Sequence, residues 1–94
     1  MALIFEWDES KARFNLRKHK ISFDEAKTVF DDPYLLTFPD DNHSETENRF
    51  LNIGLSSRLH VLVVVHTERH RGVIRIISCR KATRSEKITY EEDI

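Results

Sequence analysis

Apolar side chains recur in short runs along the chain, and their spacing indicates the kind of element that each run forms. Leu3–Trp7 is short, apolar and aromatic, which favours an opening strand. Asp8 follows where a helix N-cap belongs, and Lys11–His19 contains neither Gly nor Pro, so a first helix is predicted there. The spacing puts one apolar set and one polar stripe side by side on this helix: Ala12, Leu16 and His19 beside Lys11, Asn15 and Lys18.

A second helix is predicted to begin after Ser22. The stretch from Ser22 to Glu25 has the sequence of a capping box, in which the serine oxygen accepts from the N3 amide while Glu25 reaches back to the amide of the cap. Proline disfavours helical backbone in the residue before it, so Pro33 closes the segment. The apolar positions repeat at three and four residues: Phe23, Ala26 and Phe30.

The middle of the chain is predicted to form strands. Tyr34–Phe38 is a strand candidate, and the polar stretch Pro39–Glu45 has no periodicity, which indicates a loop. Arg49–Leu55 alternates, with Leu51, Ile53 and Leu55 on one face. Leu59–Thr67 contains five consecutive apolar residues, a pattern that favours a central strand covered on both faces.

A further strand and a final helix complete the predicted order. Val73–Cys79 is rich in β-branched residues, and a hairpin across Glu68–Gly72 is its simplest connection to the preceding strand. Thr83–Glu86 is a second capping box and predicts a helix through Tyr90. The order β-α-α-β-β-β-β-α separates strands from helices, which predicts an α+β fold with a mainly antiparallel sheet.

Size and composition narrow the class of protein. A chain of 94 residues with 39% hydrophobic residues suits one domain over residues 1–94 with a core of its own. Cys79 is the single cysteine, so neither an intramolecular disulfide nor a cysteine cluster for zinc is possible. No apolar run approaches membrane-spanning length and no signal peptide is recognisable, so we expect a cytoplasmic protein.

Charge is segregated along the chain although the net charge is only -1. Residues 22–48 contain eight acids and one base, whereas residues 49–87 contain nine bases and two acids. Such a dipolar surface can steer a polyanion to one face. The alternative interpretation is that these charges only keep a small protein soluble.

Arginines are the candidate phosphate ligands, because the guanidinium stays charged and its donors match phosphate oxygens. RNA can be cut without a metal when its own 2′-hydroxyl attacks phosphorus and the protein moves protons and stabilises charge. Arg75 stands inside a predicted strand, where it either forms an ion pair, with Glu86 as a plausible partner, or binds phosphate. Substrate contact is favoured for Arg80, and Arg69 and Arg71 contact substrate or form a solvated turn.

Histidine and cysteine offer further candidates. None of the five histidines has zinc-binding spacing, so no metal site is expected. His66 and Glu68 share one side of a strand and could handle a proton, although a structural role is commoner for such a histidine. Cys79, beside Arg80, is expected in the core with Val73 and Ile77 rather than as a nucleophile.

Five sequence blocks, taken in order, resemble the BrnT family of type II toxins. They are distributed along most of the chain: Phe5–Glu9, Asn15–His19, Ser22–Ala26, Val29–Pro33 and Ile74–Ala82. The resemblance implies a RelE-like toxin fold and a metal-independent ribonuclease that halts translation without a cofactor. It also implies a small DNA-binding BrnA antitoxin, whose dimer joins two toxins in a 2:2 complex that represses its own operon.

The resemblance further implies which side chains act. Arg69 and Arg80 are expected to stabilise the scissile phosphate, and His19 or Lys11 to handle protons. The remaining cations are expected to hold the RNA backbone: Arg49, Arg75, Lys81 and Lys18. The alternative is a non-catalytic toxin or co-repressor module that acts through protein or nucleic-acid binding.

Overall fold

Residues 2–40 and 48–94 are described by the computed structural model, except for the side chain of Arg69. They form a mixed α+β fold with a five-stranded sheet and three α-helices, which confirms the predicted fold class. The elements in chain order are β1 (Ile4–Glu6), α1 (Glu9–His19), α2 (Phe23–Ala26), a 3₁₀-helix (Lys27–Asp31), β2 (Leu36–Pro39), β3 (Arg49–Leu55), β4 (Val61–His70), β5 (Val73–Lys81) and α3 (Arg84–Glu92).

The sheet has the strand order β1-β5-β4-β3-β2, with β4 at its centre. β1 is parallel to β5, and the other three pairs are antiparallel. The apolar run of β4 suits this position, because Leu62 and Val64 are buried under one face of the sheet and Val63 under the other. The prediction of a central strand covered on both faces is therefore confirmed.

Helices cover the two faces of the sheet unequally. The larger core lies under α1, α2 and the 3₁₀-helix, where Phe23 and Val29 pack against Leu62 and Ile76. The smaller core lies under α3, where Tyr90 packs against Ile53 and Val63. We call the first face the helix face and the second the α3 face.

α1 begins as predicted, because the side chain of Asp8 accepts from the main-chain N–H groups of Ser10 and Lys11. The apolar set and the polar stripe predicted for this helix do not correspond to its buried and exposed positions. Asn15 is only 4% exposed, whereas Leu16 is 50% exposed. Asn15 is buried because its amide donates to the main-chain oxygen of Ile21 at 3.1 Å and accepts from the main-chain N–H of Cys79 at 3.0 Å.

A β-bulge in β5 changes which of its side chains face the core. Val65 pairs with Ser78 but His66 pairs with Ile76, so Ile77 is an extra residue on β5. The bulge reverses the alternation beyond it. Cys79 therefore joins the helix-face core with Ile76, and the predicted grouping of Cys79 with Val73 and Ile77 was wrong.

The second helix is shorter than predicted. The oxygen of Ser22 accepts from the N–H of Glu25, which is the first half of the predicted capping box. The second half is absent, since the carboxylate of Glu25 instead accepts from Ser56 Oγ at 2.7 Å and contacts His60 Nδ1 at 2.7 Å. Burial raises the pKa of Glu25, but hydrogen bonds from Ser56 and His60 outweigh it and hold the pKa below its ordinary value.

The last hairpin and the last helix follow the predicted pattern closely. β4 and β5 meet at a turn in which Gly72 has φ 81°, a conformation that favours glycine. Thr83 and Glu86 form both hydrogen bonds of the predicted capping box at the start of α3. Most of the loop predicted over Pro39–Glu45 lies outside the described residues.

We expect the substitution Asn15→Ala to lower the free energy of unfolding by about 2–4 kcal/mol. The reason is that it leaves the buried N–H of Cys79 and the oxygen of Ile21 without their partner. Urea unfolding measures the loss, with Asn48→Ala as a control at an exposed asparagine. Equal effects of the two substitutions would contradict the role of Asn15.

Candidate functional site

Two arginines lie in one row across the α3 face of the sheet. Strand register aligns Glu6 of β1, Arg75 of β5, Thr67 of β4 and Arg49 of β3 as cross-strand neighbours. Residues paired in this way point to the same side of a sheet. The structure thus puts two of the predicted RNA-binding residues, Arg49 and Arg75, on either side of Thr67, and we call these three residues the arginine row.

Arg75 forms an ion pair with Glu6, with 2.7 Å between Nη1 and Oε2. The prediction that Glu86 is the ion-pair partner of Arg75 was wrong. Parallel pairing of β1 with β5 sets Glu6 directly opposite Arg75, whereas Glu86 is bound to Arg80. One terminal nitrogen of Arg75 is thereby engaged, and the guanidinium has further N–H donors for a second anion.

Thr67 is the member of the row that sequence reasoning missed. The residue is 1% exposed, and among the described residues its Oγ1 is a buried side-chain oxygen without a hydrogen-bond partner. Buried hydroxyls nearly always have a partner, so an unpaired one calls for an explanation. Its position between two arginines follows from strand register, which the sequence pattern did not give.

The guanidinium of Arg80 forms a bidentate ion pair with the carboxylate of Glu86. Nη1 donates to Oε1 at 2.8 Å and Nη2 donates to Oε2 at 2.9 Å. The hydrogen bond from Arg80, opposed by burial and assisted by the N–H of Thr83, lowers the pKa of Glu86 to about 2. The hydrogen bond to Glu86 in turn raises the pKa of Arg80. Because Glu86 also caps α3, the arginine and the helix start are held by one carboxylate.

Three further predicted residues line one depression of about 670 Å3 along α1. Lys11, Lys18 and His19 share it with the bulge residues Ile77 and Ser78. The other lining residues are Ser10, Phe14, Asn15 and Arg17, so within residues 2–40 and 48–94 no carboxylate lines it. We call this the α1 depression. It gathers the predicted proton-handling candidates, His19 and Lys11, beside the bulge of β5.

Lys81 is not part of these groups, and the structure describes only the main chain of Arg69. Lys81 lines a separate depression at the end of β5, together with Lys87 and Tyr90 of α3. The main chain of Arg69 lies in β4 at a register shift between Glu68 and His70, and its side chain lies outside what the structure describes. The eight predicted residues therefore do not all meet in one site.

His66 is enclosed by the core on the helix face, at 2% exposure. Its ring stacks on Phe50 and meets Phe30 edge-on. Asn52 Nδ2 donates to Nδ1 at 2.6 Å, which leaves Nε2 to donate to Glu68 Oε1 at 3.4 Å. Burial lowers the pKa of His66 more than Glu68 raises it, so the ring is neutral at physiological pH. These contacts favour a structural role.

Cys79 is also a core residue. Its thiol lies within 3.1 Å of Asn15 Nδ2, and burial raises its pKa to about 12. A thiol with such a pKa is a poor nucleophile. Over residues 2–40 and 48–94, no group of three or more His, Cys, Asp or Glu side chains is arranged to hold a metal ion. No helix in the described part of the chain is long and apolar enough to cross a membrane.

Comparisons with known proteins identify what the chain resembles. The sequence profile of a family described as "Ribonuclease toxin, BrnT, of type II toxin-antitoxin system" matches residues 7–86. The crystal structure of the ribonuclease toxin BrnT from Brucella abortus is similar to this structure with a TM-score of 0.65 and 24% sequence identity. The likeness covers 89% of this chain and 99% of that one, and at this identity it supports the fold alone. No curated protein sequence matches the chain.

The substitution Glu86→Gln is expected to lower the free energy of unfolding by about 1 kcal/mol at neutral pH, because water screens a partly exposed ion pair. Glutamine at this position keeps the helix cap but removes the charge that Arg80 binds. The folded-state pKa of about 2 lies below the ordinary 4.5, so the extra stability of the wild type is present above pH 4.5 and is lost as the pH falls towards 2.

Urea unfolding of both proteins across this pH range measures the difference. Glu92→Gln, at the exposed last turn of α3, is the matched control and should change stability by less than about 0.5 kcal/mol. A difference between wild type and Glu86→Gln that stays constant down to the lowest pH would contradict the ion pair.

Proposed function

Because the chain belongs to the BrnT family of ribonuclease toxins from type II toxin–antitoxin systems, we propose that it is an endoribonuclease toxin that cuts single-stranded RNA and halts translation. The cut follows attack of a 2′-hydroxyl on the neighbouring phosphorus and uses neither a metal nor a cofactor. The observation that carries this proposal is that the α1 depression, whose charged lining residues in the described part of the chain are all cations, borders the strand that holds Arg75 and Arg80.

The RNA path runs from the α1 depression onto the α3 face of the sheet. Ser78 lines the depression and, being paired with Val65, also lies on the side of the sheet that carries the arginine row. An RNA backbone that crosses Ser78 meets Lys11 and Lys18 on one side and Arg75 on the other. Arg49 extends the row, and Lys81 holds the backbone beyond the end of β5. Phosphate contacts of this kind position the RNA strand without reading its base sequence.

The chemistry requires a proton acceptor, a proton donor and a group that stabilises negative charge on the phosphorane. The 2′-oxygen forms a bond to phosphorus as the bond to the 5′-oxygen breaks, which leaves a 2′,3′-cyclic phosphate and a 5′-hydroxyl. His19 or Lys11 moves the protons, since both lie in the α1 depression. Arg80 and Arg69 stabilise the phosphorane. Arg80 presents the guanidinium hydrogens that Glu86 and the main-chain oxygen of Lys81 do not occupy.

Family membership also supports the regulatory part of the proposal. Membership in a type II system implies an antitoxin partner. We propose that this partner is a BrnA-type protein, that the complex contains two copies of each, and that it contacts operator DNA only through the antitoxin. The single domain over residues 1–94 has the RelE-like toxin fold, and the protein acts in the cytoplasm.

A second function is favoured by the ion pairs of the two strand arginines. Glu6 and Glu86 already occupy donors of Arg75 and Arg80, an arrangement that suits a non-catalytic toxin or co-repressor module. Total RNA from cells that express the chain alone separates the two functions. Arrested growth with intact RNA favours the non-catalytic function, and arrested growth with fragmented RNA favours the enzyme.

Purified protein free of antitoxin should cleave single-stranded RNA equally well with EDTA and with magnesium. The 2′-hydroxyl mechanism uses protein cations in place of a metal ion, so chelation removes no catalytic group. Gel electrophoresis follows the RNA, and analysis of the fragment ends should show 2′,3′-cyclic phosphates. RNA that survives in EDTA and is cut once magnesium is restored would refute the metal-free mechanism.

Arg80→Ala and Arg69→Ala should each lower the rate of RNA cleavage by about 10²–10³-fold, the usual cost of removing a donor that stabilises transition-state charge. Both should also relieve growth inhibition. Arg58→Ala is the matched control, because Arg58 is an exposed arginine in the turn between β3 and β4. Circular dichroism establishes that the variants fold. Unchanged toxicity in both variants would refute the assigned roles.

A further inference from the structure

Phe14 is an aromatic side chain of α1 that the core does not use. It is 55% exposed and lines the α1 depression. α1 is held on β5 through Asn15, so the fold does not require an aromatic ring at the neighbouring position. The exposed phenylalanine lines a depression, so its ring is accessible to a ligand bound there.

The charged side chains that line the α1 depression with Phe14 are cations. They are Lys11, Arg17 and Lys18, and no carboxylate of the described residues is among the lining side chains. The ammonium of Lys18 lies 5.7 Å from the centre of the phenylalanine ring, within the range of a cation–π contact. An aromatic ring among cations is the combination by which proteins bind single-stranded nucleic acids, because the cations hold phosphates while the ring stacks on a base.

We infer that Phe14 is a stacking platform for one base of the RNA, and that Lys11 and Lys18 hold the phosphates on either side of that nucleotide. This inference rests on the proposed function. It adds a base-binding subsite at a residue that neither sequence pattern nor resemblance singled out. Stacking on phenylalanine is tolerant of base identity, so the subsite anchors the strand rather than selecting its sequence.

Position favours RNA over an acidic peptide as the occupant. The depression reaches Ser78 on β5, between Arg75 and Arg80 in sequence and on the side of the sheet that bears the arginine row. A strand anchored on Phe14 therefore passes directly onto the proposed cleavage surface. An acidic peptide would satisfy the lysines equally, so the experiment below includes one.

The test compares Phe14→Ala with Leu16→Ala. Leu16 is exposed to a similar degree, at 50%, and it lines a different depression with Trp7 and Phe23. Binding is measured with a short single-stranded RNA whose 2′-hydroxyls are methylated to prevent cleavage, and cleavage is measured with the unmodified RNA. Phe14→Ala should weaken binding and raise KM by roughly 5- to 100-fold, the loss of one stacked base, with a smaller change in kcat.

Three controls make the result specific. Leu16→Ala should leave binding within about twofold, and Phe14→Trp should retain it because indole also stacks. A polyphosphate without bases should bind wild type and Phe14→Ala equally. Thermal unfolding establishes that the variants fold, which is expected because Phe14 is exposed.

Each outcome decides between the two proposals. Cleavage of RNA by Phe14→Ala with unchanged KM and affinity overturns the subsite and leaves the ribonuclease function standing. Binding of methylated RNA that depends on Phe14, in a protein that cuts no RNA, supports the subsite and overturns the enzyme. Wild type that neither binds nor cuts RNA overturns both. Loss of affinity for a polyglutamate peptide, but not for RNA, overturns the subsite in favour of a peptide partner.

Discussion

The main-chain N–H of Cys79 donates to the side chain of Asn15 on a stretch of β5 that β1 does not reach, since β1 pairs only with Val73, Ile74 and Arg75. Without that contact the edge of β5 would carry an unpaired backbone donor, which is costly when buried. α1 takes the place that a longer β1 would occupy. The bulge at Ile77 sets the geometry, because it returns Cys79 to the core and brings Ile77 and Ser78 to the margin beside α1.

The placement of the candidate site follows from this contact. With Asn15 turned into the sheet, helical periodicity puts Lys11 and Lys18, four before and three after it, along the side of α1 that meets the bulge. Phe14 and Leu16, on either side of Asn15 in sequence, are both left exposed. The depression with its cations and its aromatic ring is thus a consequence of burying one amide.

Local patterns predicted the elements well, and they failed where an outcome depended on a distant partner. The apolar run of β4, the cap at Asp8 and the capping box at Thr83 each act within a few residues, so the sequence alone predicted them. Asn15 was assigned to a polar stripe because its partners, Ile21 and Cys79, belong to other elements. The same reason explains why Glu25 does not complete the predicted capping box and contacts Ser56 and His60 instead. Strand register, which pairs Arg75 with Glu6 and aligns Thr67 between two arginines, cannot be obtained from alternation alone.

The paired arginines are compatible with RNA binding when the energies are compared. An exposed or half-exposed ion pair contributes only about 0–1 kcal/mol, because water and salt screen it. Arg75 and Arg80 are partly exposed, and their carboxylates hold the guanidiniums in place. An RNA phosphate offers charge-assisted hydrogen bonds of comparable or greater strength to the remaining donors, and its neighbours along the strand add to them. The carboxylates therefore fix the direction of each arginine at little cost in affinity, and they explain how a chain with a net charge of -1 can carry a surface for a polyanion.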